Sequence, residues 1–120
     1  MTKFVMLNNV NYMLAETLKS HRLKRGMSLK DVAIALQIDP SLLSRIESQQ
    51  RYPTENQVRE LASLYQVDIS VLLKEWLGDK VYALLDEYPE IASDVLVAME
   101  SRIAYLSGPK AMETQALSSK

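Results

Sequence analysis

Two helix-start signals that lie eleven residues apart constrain this chain more than any other feature of its sequence. Ser28 is an N-cap residue, and Asp31 three positions later is the acidic partner of a capping box. Asp39 is a second N-cap, and Pro40 occupies the first helical position, where its missing N–H does no harm. Only residues 37–39 separate the two predicted helices. The pattern therefore predicts two short helices joined by a tight turn.

Apolar residues recur at helical intervals along the rest of the chain, which contains only three glycines and four prolines. We expect a first helix over residues 11–25, ended by Gly26 in a left-handed conformation. Thr54 caps a fourth helix, and Asp68 or Ser70 starts a fifth. No alternating strand pattern competes with these helices.

Gly78-Asp79 predicts a break after the fifth helix, and Pro89 stops the amphipathic segment that follows. A last helix is expected over residues 90–106. The predicted fold is therefore all-α, with a five-helix domain over residues 1–77 and two C-terminal helices over 78–106. The Ser, Gly, Pro and Lys residues of 107–120 predict a flexible tail.

The composition excludes several classes of functional site. There is no cysteine and only one histidine, so disulfides, thiolate ligands and histidine clusters are absent. The sequence also lacks a glycine-rich phosphate loop and a carboxylate cluster with an orienting partner. We expect a protein that is not an enzyme and uses no cofactor or metal. Without a signal pattern or an apolar run of about 20 residues, we expect a cytoplasmic location and no membrane contact.

The small net charge of −1 conceals an asymmetry between the two halves of the chain. Residues 1–60 carry nine Lys/Arg and six Asp/Glu, whereas residues 61–120 carry five and nine. The first half can therefore face a polyanion while the second half is repelled by it. The imbalance alone is a weak indication of nucleic-acid binding.

The tight turn between the second and third helices has the geometry of a helix-turn-helix. Such a turn holds the second of the two helices away from the body of the domain, so that its N-terminal residues can enter the major groove of DNA. Ala33 lies where the two helices cross, and a larger side chain there would force them apart. The motif thus predicts a DNA-binding module.

Several spaced segments resemble the Cro/lambda-repressor type of helix-turn-helix, also called the xenobiotic-response-element family. They are the stretches 22–33, 38–47, 51–53 and 61–62, which read RLKRGMSLKDVA, IDPSLLSRIE, RYP and LA. The resemblance covers about residues 14–75. It implies a five-helix domain that binds operator DNA, usually as a dimer.

By position, the resemblance assigns the recognition helix to residues 40–48. The base-reading positions are then Pro40, Ser41 and Arg45, with Ser44 at the edge of the groove. Arg45 is the strongest candidate, because an arginine fork can bond guanine O6 and N7 together. Pro40 offers only apolar contact. An alternative for Arg45 is a pair with an acidic neighbour.

A second set of residues is expected to contact DNA phosphates, which fixes position without reading sequence. The set comprises Arg22, Ser28, Lys30, Arg51 and Tyr52. The basic cluster near residue 22 has an ordinary alternative as a solvated helix end. Glu47 is expected to pair with a basic residue across the domain.

Four positions depart from the family pattern. His21 stands where the family usually has an apolar residue of the first helix, and we expect it to be a partly buried packing residue rather than a pH sensor or ligand. Leu29 stands where the family commonly has a glutamine that touches the DNA backbone. Gln37 and Gln49 replace frequent turn glycines, which predicts non-glycine residues at positive φ. These departures affect affinity and site choice more than the fold.

The apolar residues after the break predict a dimer interface, because five helices already close a core of this kind and the additional apolar faces must be buried. The expected interface residues are Val81, Leu84, Leu85, Val95, Met99 and Ile103. The alternative is that this segment folds back on its own domain.

The sequence therefore favours a regulator, which we expect to be a repressor, that binds a pseudo-palindromic operator on double-stranded DNA as a homodimer. Two recognition helices about 34 Å apart would enter successive major grooves. The alternative is an antitoxin-like protein-interaction module that binds a protein partner, with DNA binding secondary or lost.

Overall fold

The computed structural model describes residues 12–107, and this range contains six α-helices and no strand. The helices are α1 (Leu14–Lys24), α2 (Leu29–Leu36), α3 (Pro40–Glu47), α4 (Glu55–Tyr65), α5 (Ile69–Leu85) and α6 (Ala92–Ser107). The predicted all-α class is confirmed. The expected helix start at Asn11 and the tail beyond Ser107 lie outside the described residues. Within residues 12–107, no helix is both long and apolar enough to cross a membrane.

Local signals in the sequence set most helix boundaries. Gly26 follows α1 with φ of +66°, a left-handed conformation that confirms the predicted glycine cap. Thr54 accepts a hydrogen bond from the Gln57 N–H at 3.1 Å, and its own N–H donates to the Gln57 side chain at 2.9 Å. Asp68 accepts from the Ser70 N–H at 3.0 Å, so Asp68 is the residue that caps α5.

Within the described chain, residues 12–83 form one compact unit with its own hydrophobic core. All five of its helices contribute buried side chains to this core: Leu14, Leu18, Val32, Leu36, Leu43, Ile46, Val58, Leu61, Ala62, Tyr65 and Leu72. Half-buried apolar residues such as Leu29, Ile38 and Trp76 pack against the periphery. The core therefore fixes α2 and α3 on a rigid base.

The predicted break at Gly78-Asp79 is wrong, because α5 continues through both residues to Leu85. Glycine within a helix costs about 1 kcal/mol relative to alanine. That cost is offset here by a tertiary contact of the next residue. The Asp79 carboxylate accepts hydrogen bonds from the Met13 N–H at 2.9 Å and the Leu14 N–H at 3.0 Å.

Asp79 therefore acts as a cap for α1 from a position 65 residues away along the chain. The preceding residue, Met13, makes no side-chain capping hydrogen bond of its own. Asp79 is only 5% exposed. Water could therefore not easily replace its carboxylate as the acceptor for these two N–H groups. As a consequence, Val81, Leu84 and Leu85 belong to α5 rather than to a separate helix.

Residues from Leu84 onward form a second unit, of which α6 is the main described element. No side chain of α6 is buried within the described chain, although the helix is rich in apolar residues. Leu96 is 54% exposed, Val97 64% and Ile103 53%. Isolated exposed apolar residues are ordinary, whereas α6 carries several of them along its length.

Replacing Asp79 by alanine should lower the free energy of unfolding by about 2 kcal/mol, because it leaves buried N–H groups at the start of α1 without an acceptor. Urea denaturation followed by circular dichroism measures this change. Glu87→Ala is the matched control, since Glu87 is an exposed acidic residue beyond the end of α5. Equal midpoints for the two variants would contradict the capping role.

Candidate nucleic-acid interface

The start of α2 is fixed by the capping box that the sequence predicts. The Asp31 N–H donates to Ser28 Oγ at 3.0 Å, and the Ser28 N–H donates to Asp31 Oδ2 at 2.9 Å. The bond from the Ser28 backbone lowers the pKa of the Asp31 carboxyl below its ordinary value. Because Ser28 Oγ is an acceptor here, its hydroxyl proton can point outward to an anion. Lys30, two residues after Ser28, is also exposed.

The connection between α2 and α3 is the predicted tight turn. Gln37 has φ of 59° and ψ of 46°, in the left-handed region. The Ile38 N–H donates to the Ala33 carbonyl at 2.9 Å, which closes the end of α2. Asp39 then accepts from the Ser41 N–H at 3.3 Å and opens α3. Ala33 is completely buried, which agrees with the close helix crossing expected at this position.

The third helix has one buried and one exposed face. Leu43 and Ile46 are buried in the core. The exposed residues of the helix include the four expected base-reading positions Pro40, Ser41, Ser44 and Arg45. Residues three and four apart lie on the same side of a helix, so positions 41, 44 and 45 form one surface.

Arg45 is free to interact outside the chain. Within residues 12–107, its guanidinium has no ion-pair or hydrogen-bond partner, so the alternative of an acidic neighbour finds no support. Its carbonyl accepts from the Gln50 N–H at 2.8 Å, which ties the end of α3 to the following loop. The result is an arginine on a fixed backbone with all its side-chain donors available.

The loop after α3 presents two further candidate residues, Arg51 and Tyr52, both exposed. The loop is anchored from behind by α5, because Trp76 Nε1 donates to the Pro53 carbonyl at 2.9 Å. Partial burial raises the pKa of Tyr52 well above its ordinary value, so its phenol is a proton donor at neutral pH. Donors of this kind suit phosphate oxygens.

These features agree with comparisons to known proteins. Residues 13–76, more than half of the chain, match the family model described as a helix-turn-helix domain. The chain belongs to the helix-turn-helix domain family. A similar protein is the HTH-type transcriptional regulator DdrOP3 of Deinococcus deserti, 36% identical over 76 residues. The match covers 62% of this chain and 59% of that protein, so the chain spans well under two thirds of the length of its relative. No solved structure matches.

Arg22 does not have the environment expected of a phosphate contact in this helix-turn-helix domain. Its Nε and Nη2 donate to the two carboxylate oxygens of Glu47 at 2.8 and 3.0 Å, and its Nη1 donates to the Met27 carbonyl at 3.0 Å. The two side chains are 10% and 6% exposed. Donation of these hydrogen bonds to the Glu47 carboxylate raises the pKa of the Arg22 guanidinium. Arg22 is therefore a buried residue that links α1 to α3, and the expected pairing of Glu47 with a basic residue is confirmed.

The other basic residues near α2 remain at the surface. Lys24, Arg25 and Lys30 are all exposed, so they can contribute positive potential beside the helix-turn-helix. Leu29 packs against the core instead of facing outward, which agrees with the loss of a polar backbone contact there. Gln37 and Gln49 both have positive φ, as their replacement of turn glycines predicts.

Two residues behind the helix-turn-helix were not predicted as part of the interface. Trp76 holds the loop through Pro53, and Lys80 lies with its Nζ 3.8 Å from the centroid of the Trp76 ring. Their spacing of four residues would place them on one helix face. The sequence signal was present, but the break expected at Gly78 separated them into different elements.

No metal or catalytic centre is visible in the part of the chain that the structure describes. Among residues 12–107, no group of three acidic or histidine side chains is placed to hold a metal ion. The half-buried His21 stacks on the ring of Tyr65 at 6.2 Å between centroids, which agrees with a packing role. Burial raises the pKa of Tyr65 to about 12.

Replacing Arg22 by methionine should lower the free energy of unfolding by about 3 kcal/mol, because it leaves the buried Glu47 carboxylate without its partner. The double variant Arg22→Met/Glu47→Met should lose much less than the sum of the two single losses. Urea denaturation of the four proteins measures the coupling.

The exposed pair of Arg59 and Glu55 is the matched control, with side chains 49% and 52% exposed and a separation of 2.8 Å. Arg59→Met should cost only about 0.3–0.5 kcal/mol. Strictly additive losses at Arg22 and Glu47 would show that the buried pair does not act as a unit.

Proposed function

We propose that the protein is a sequence-specific transcriptional regulator that binds a pseudo-palindromic operator as a homodimer and represses by occluding the promoter. The single observation that carries this proposal is the exposed polar face of α3, with the unpartnered Arg45 guanidinium. A relative of this helix-turn-helix protein bears the name of a transcriptional regulator, which supports the same role. Within the helix-turn-helix family, we propose the Cro/lambda-repressor type.

In this proposal α3 lies in the major groove and reads base edges. Arg45 donates two hydrogen bonds to one guanine, a contact that carries about 1–3 kcal/mol of discrimination. Ser41 and Ser44 each donate or accept one bond, and Pro40 packs on a thymine methyl group. The buried face of α3 supports these roles, because Leu43 and Ile46 fix the rotation of the helix.

Phosphate contacts flank the groove on both sides of α3. On one side, Ser28 and Lys30 lie at the start of α2, where the helix dipole also favours an anion. On the other side, Arg51 and Tyr52 extend from the loop. The exposure of all four side chains supports this arrangement. Occupancy of the promoter is sufficient for repression, so the proposal needs no cofactor or catalytic step, and it places the protein in the cytoplasm with its DNA.

Dimerisation is proposed through the C-terminal segment 78–106. The expected interface residues have apolar surface to bury: Leu84 is 69% exposed and Ile103 53%, while Val81, Leu85, Val95 and Met99 are half-buried. Positions 95, 99 and 103 recur every four residues and so form one stripe along α6. A stripe of this kind can meet its own copy across a two-fold axis, which is the commonest geometry of soluble dimers.

A protein partner is the second candidate for the same surface. Leu96 lies beside this stripe, and Val97 and Tyr105 are exposed on other sides of α6, where they offer apolar area beyond it. An antitoxin-like interaction module would use this area to hold a second protein. This alternative keeps the helix-turn-helix but makes DNA binding secondary.

Arg45→Ala should weaken binding to the operator by about 1–3 kcal/mol per half-site, and so by about 2–6 kcal/mol for the dimer, with much less effect on random DNA, because only the base contact is removed. The operator is the duplex that the wild-type protein enriches from a random library. Fluorescence anisotropy titrations on this duplex and on a scrambled one measure the two losses.

Arg59→Ala is the matched control, an exposed arginine on α4 whose guanidinium donates to Glu55. It should leave the ratio of specific to random affinity unchanged. Equal losses on both DNAs for Arg45→Ala would instead make Arg45 a phosphate contact.

Val95→Glu combined with Met99→Glu should convert the dimer to a monomer, because it places two like charges on each side of the proposed two-fold interface. Sedimentation velocity measures the mass. Ser93→Glu combined with Ser101→Glu adds the same charge on the far side of α6 and should leave the dimer intact. A dimer that survives the first change and is lost in the second would place the interface elsewhere.

A further inference from the structure

Lys80 lies beside the loop that follows α3. Its Nζ lies 3.8 Å from the centroid of the Trp76 ring and 6.0 Å from that of the Tyr52 ring. An ammonium over an indole face is attracted by the ring quadrupole. This attraction is worth about 0.5–1 kcal/mol at an exposed site. This interaction fixes the charge in place without neutralising it.

Lys80 is not held by an acidic side chain. Asp79 precedes it in the sequence, but both oxygens of that carboxylate accept from the backbone at the start of α1. Among residues 12–107, no carboxylate forms an ion pair with Lys80. The ammonium therefore has no direct carboxylate contact that an incoming phosphate would have to displace.

The loop that carries Arg51 and Tyr52 depends on α5 for its position. A cavity of about 260 Å³ lies against the loop, lined among others by Tyr12, Ile46 and Ala83. Because no side chain of residues 12–107 fills this space, their apolar packing does not fix the loop on that side. The hydrogen bond from Trp76 to the Pro53 carbonyl is the direct anchor.

We propose that Lys80 is a further phosphate-contacting residue of the DNA interface and that Trp76 is its positioning residue. The ligand is a phosphodiester of the DNA backbone next to the one contacted by Arg51 and Tyr52. Trp76 acts twice, since its ring holds the Lys80 ammonium and its N–H holds the loop. This inference rests on the proposed DNA-binding function.

The salt dependence of binding tests the proposal, because each neutralised phosphate contributes about −0.9 to the slope of log K against log salt. Because the proposed dimer carries Lys80 twice, Lys80→Gln should reduce the magnitude of that slope by about two and weaken binding about sixtyfold at 0.1 M KCl. The loss should be the same on the operator and on random duplex. Lys80→Arg should retain the wild-type slope, because it keeps the charge.

Lys74→Gln is the matched control, since Lys74 is an exposed lysine on the same helix. It should have the wild-type slope. Trp76→Leu should show part of the Lys80→Gln loss, because the ammonium is then no longer held in place. Urea denaturation of each variant confirms that the folded fraction is complete under the binding conditions.

A wild-type slope for Lys80→Gln would overturn this inference, and so would an equal decrease for Lys74→Gln. Either result leaves the proposed function standing as long as the wild-type protein still selects an operator. Failure of the wild-type protein to bind any duplex at low salt would instead overturn the proposed function itself.

Discussion

The arrangement of the first three helices depends on one buried guanidinium. Arg22 comes from the last turn of α1, Glu47 is the last residue of α3, and Met27 immediately precedes the cap of α2. Three hydrogen bonds of 2.8–3.0 Å therefore join three elements through a single side chain. Burying a charge pair is costly unless its geometry is good, and here each guanidinium nitrogen donates one hydrogen bond.

The buried pair of Arg22 and Glu47 has a direct consequence for the surface of α3. With Glu47 fixed from behind and Leu43 and Ile46 in the core, α3 cannot rotate about its axis without breaking buried contacts. The exposed Arg45 is therefore presented by a rigid support, which reduces the entropy lost when it binds. A DNA-reading arginine benefits from this rigidity because a two-bond contact with guanine tolerates little misplacement.

The second half of α5 supplies a comparable support from the opposite end of the sequence. Asp79 caps α1, and Trp76 anchors the loop after α3. The helix α5 therefore fixes both the start of α1 and the loop that belongs to the candidate interface. The same helix continues to Leu85, beyond the end of the first compact unit. The continuity of α5 thus matters more for the site than its contribution to the core.

Local features of the fold could be predicted from the sequence, and long-range ones could not. The caps at Ser28, Asp39 and Thr54 were predictable because each is encoded within four residues. The exposure of the α3 positions followed from helical periodicity. Arg22 was misjudged because a basic residue at a helix end has no local sign of burial, and its partner lies 25 residues away.

The continuation of α5 was missed for the same reason. Gly78-Asp79 has the composition of a turn, and the acceptor role of Asp79 toward Leu14 is a contact across 65 residues. Tertiary contacts of this kind override local preference, which for one glycine amounts to about 1 kcal/mol. The roles of Trp76 and Lys80 depended on that continuity, so they became apparent only with the structure.

Selection from a random duplex library over a series of salt concentrations tests the central claim most directly. A rigidly presented α3 in a two-fold dimer predicts enrichment of an inverted repeat whose half-sites lie about 10 base pairs apart. Binding should remain sequence-specific as salt rises, although its affinity falls. Weak, steeply salt-dependent binding without any enriched sequence would contradict the claim. It would show that the protein is attracted to DNA phosphates without reading sequence.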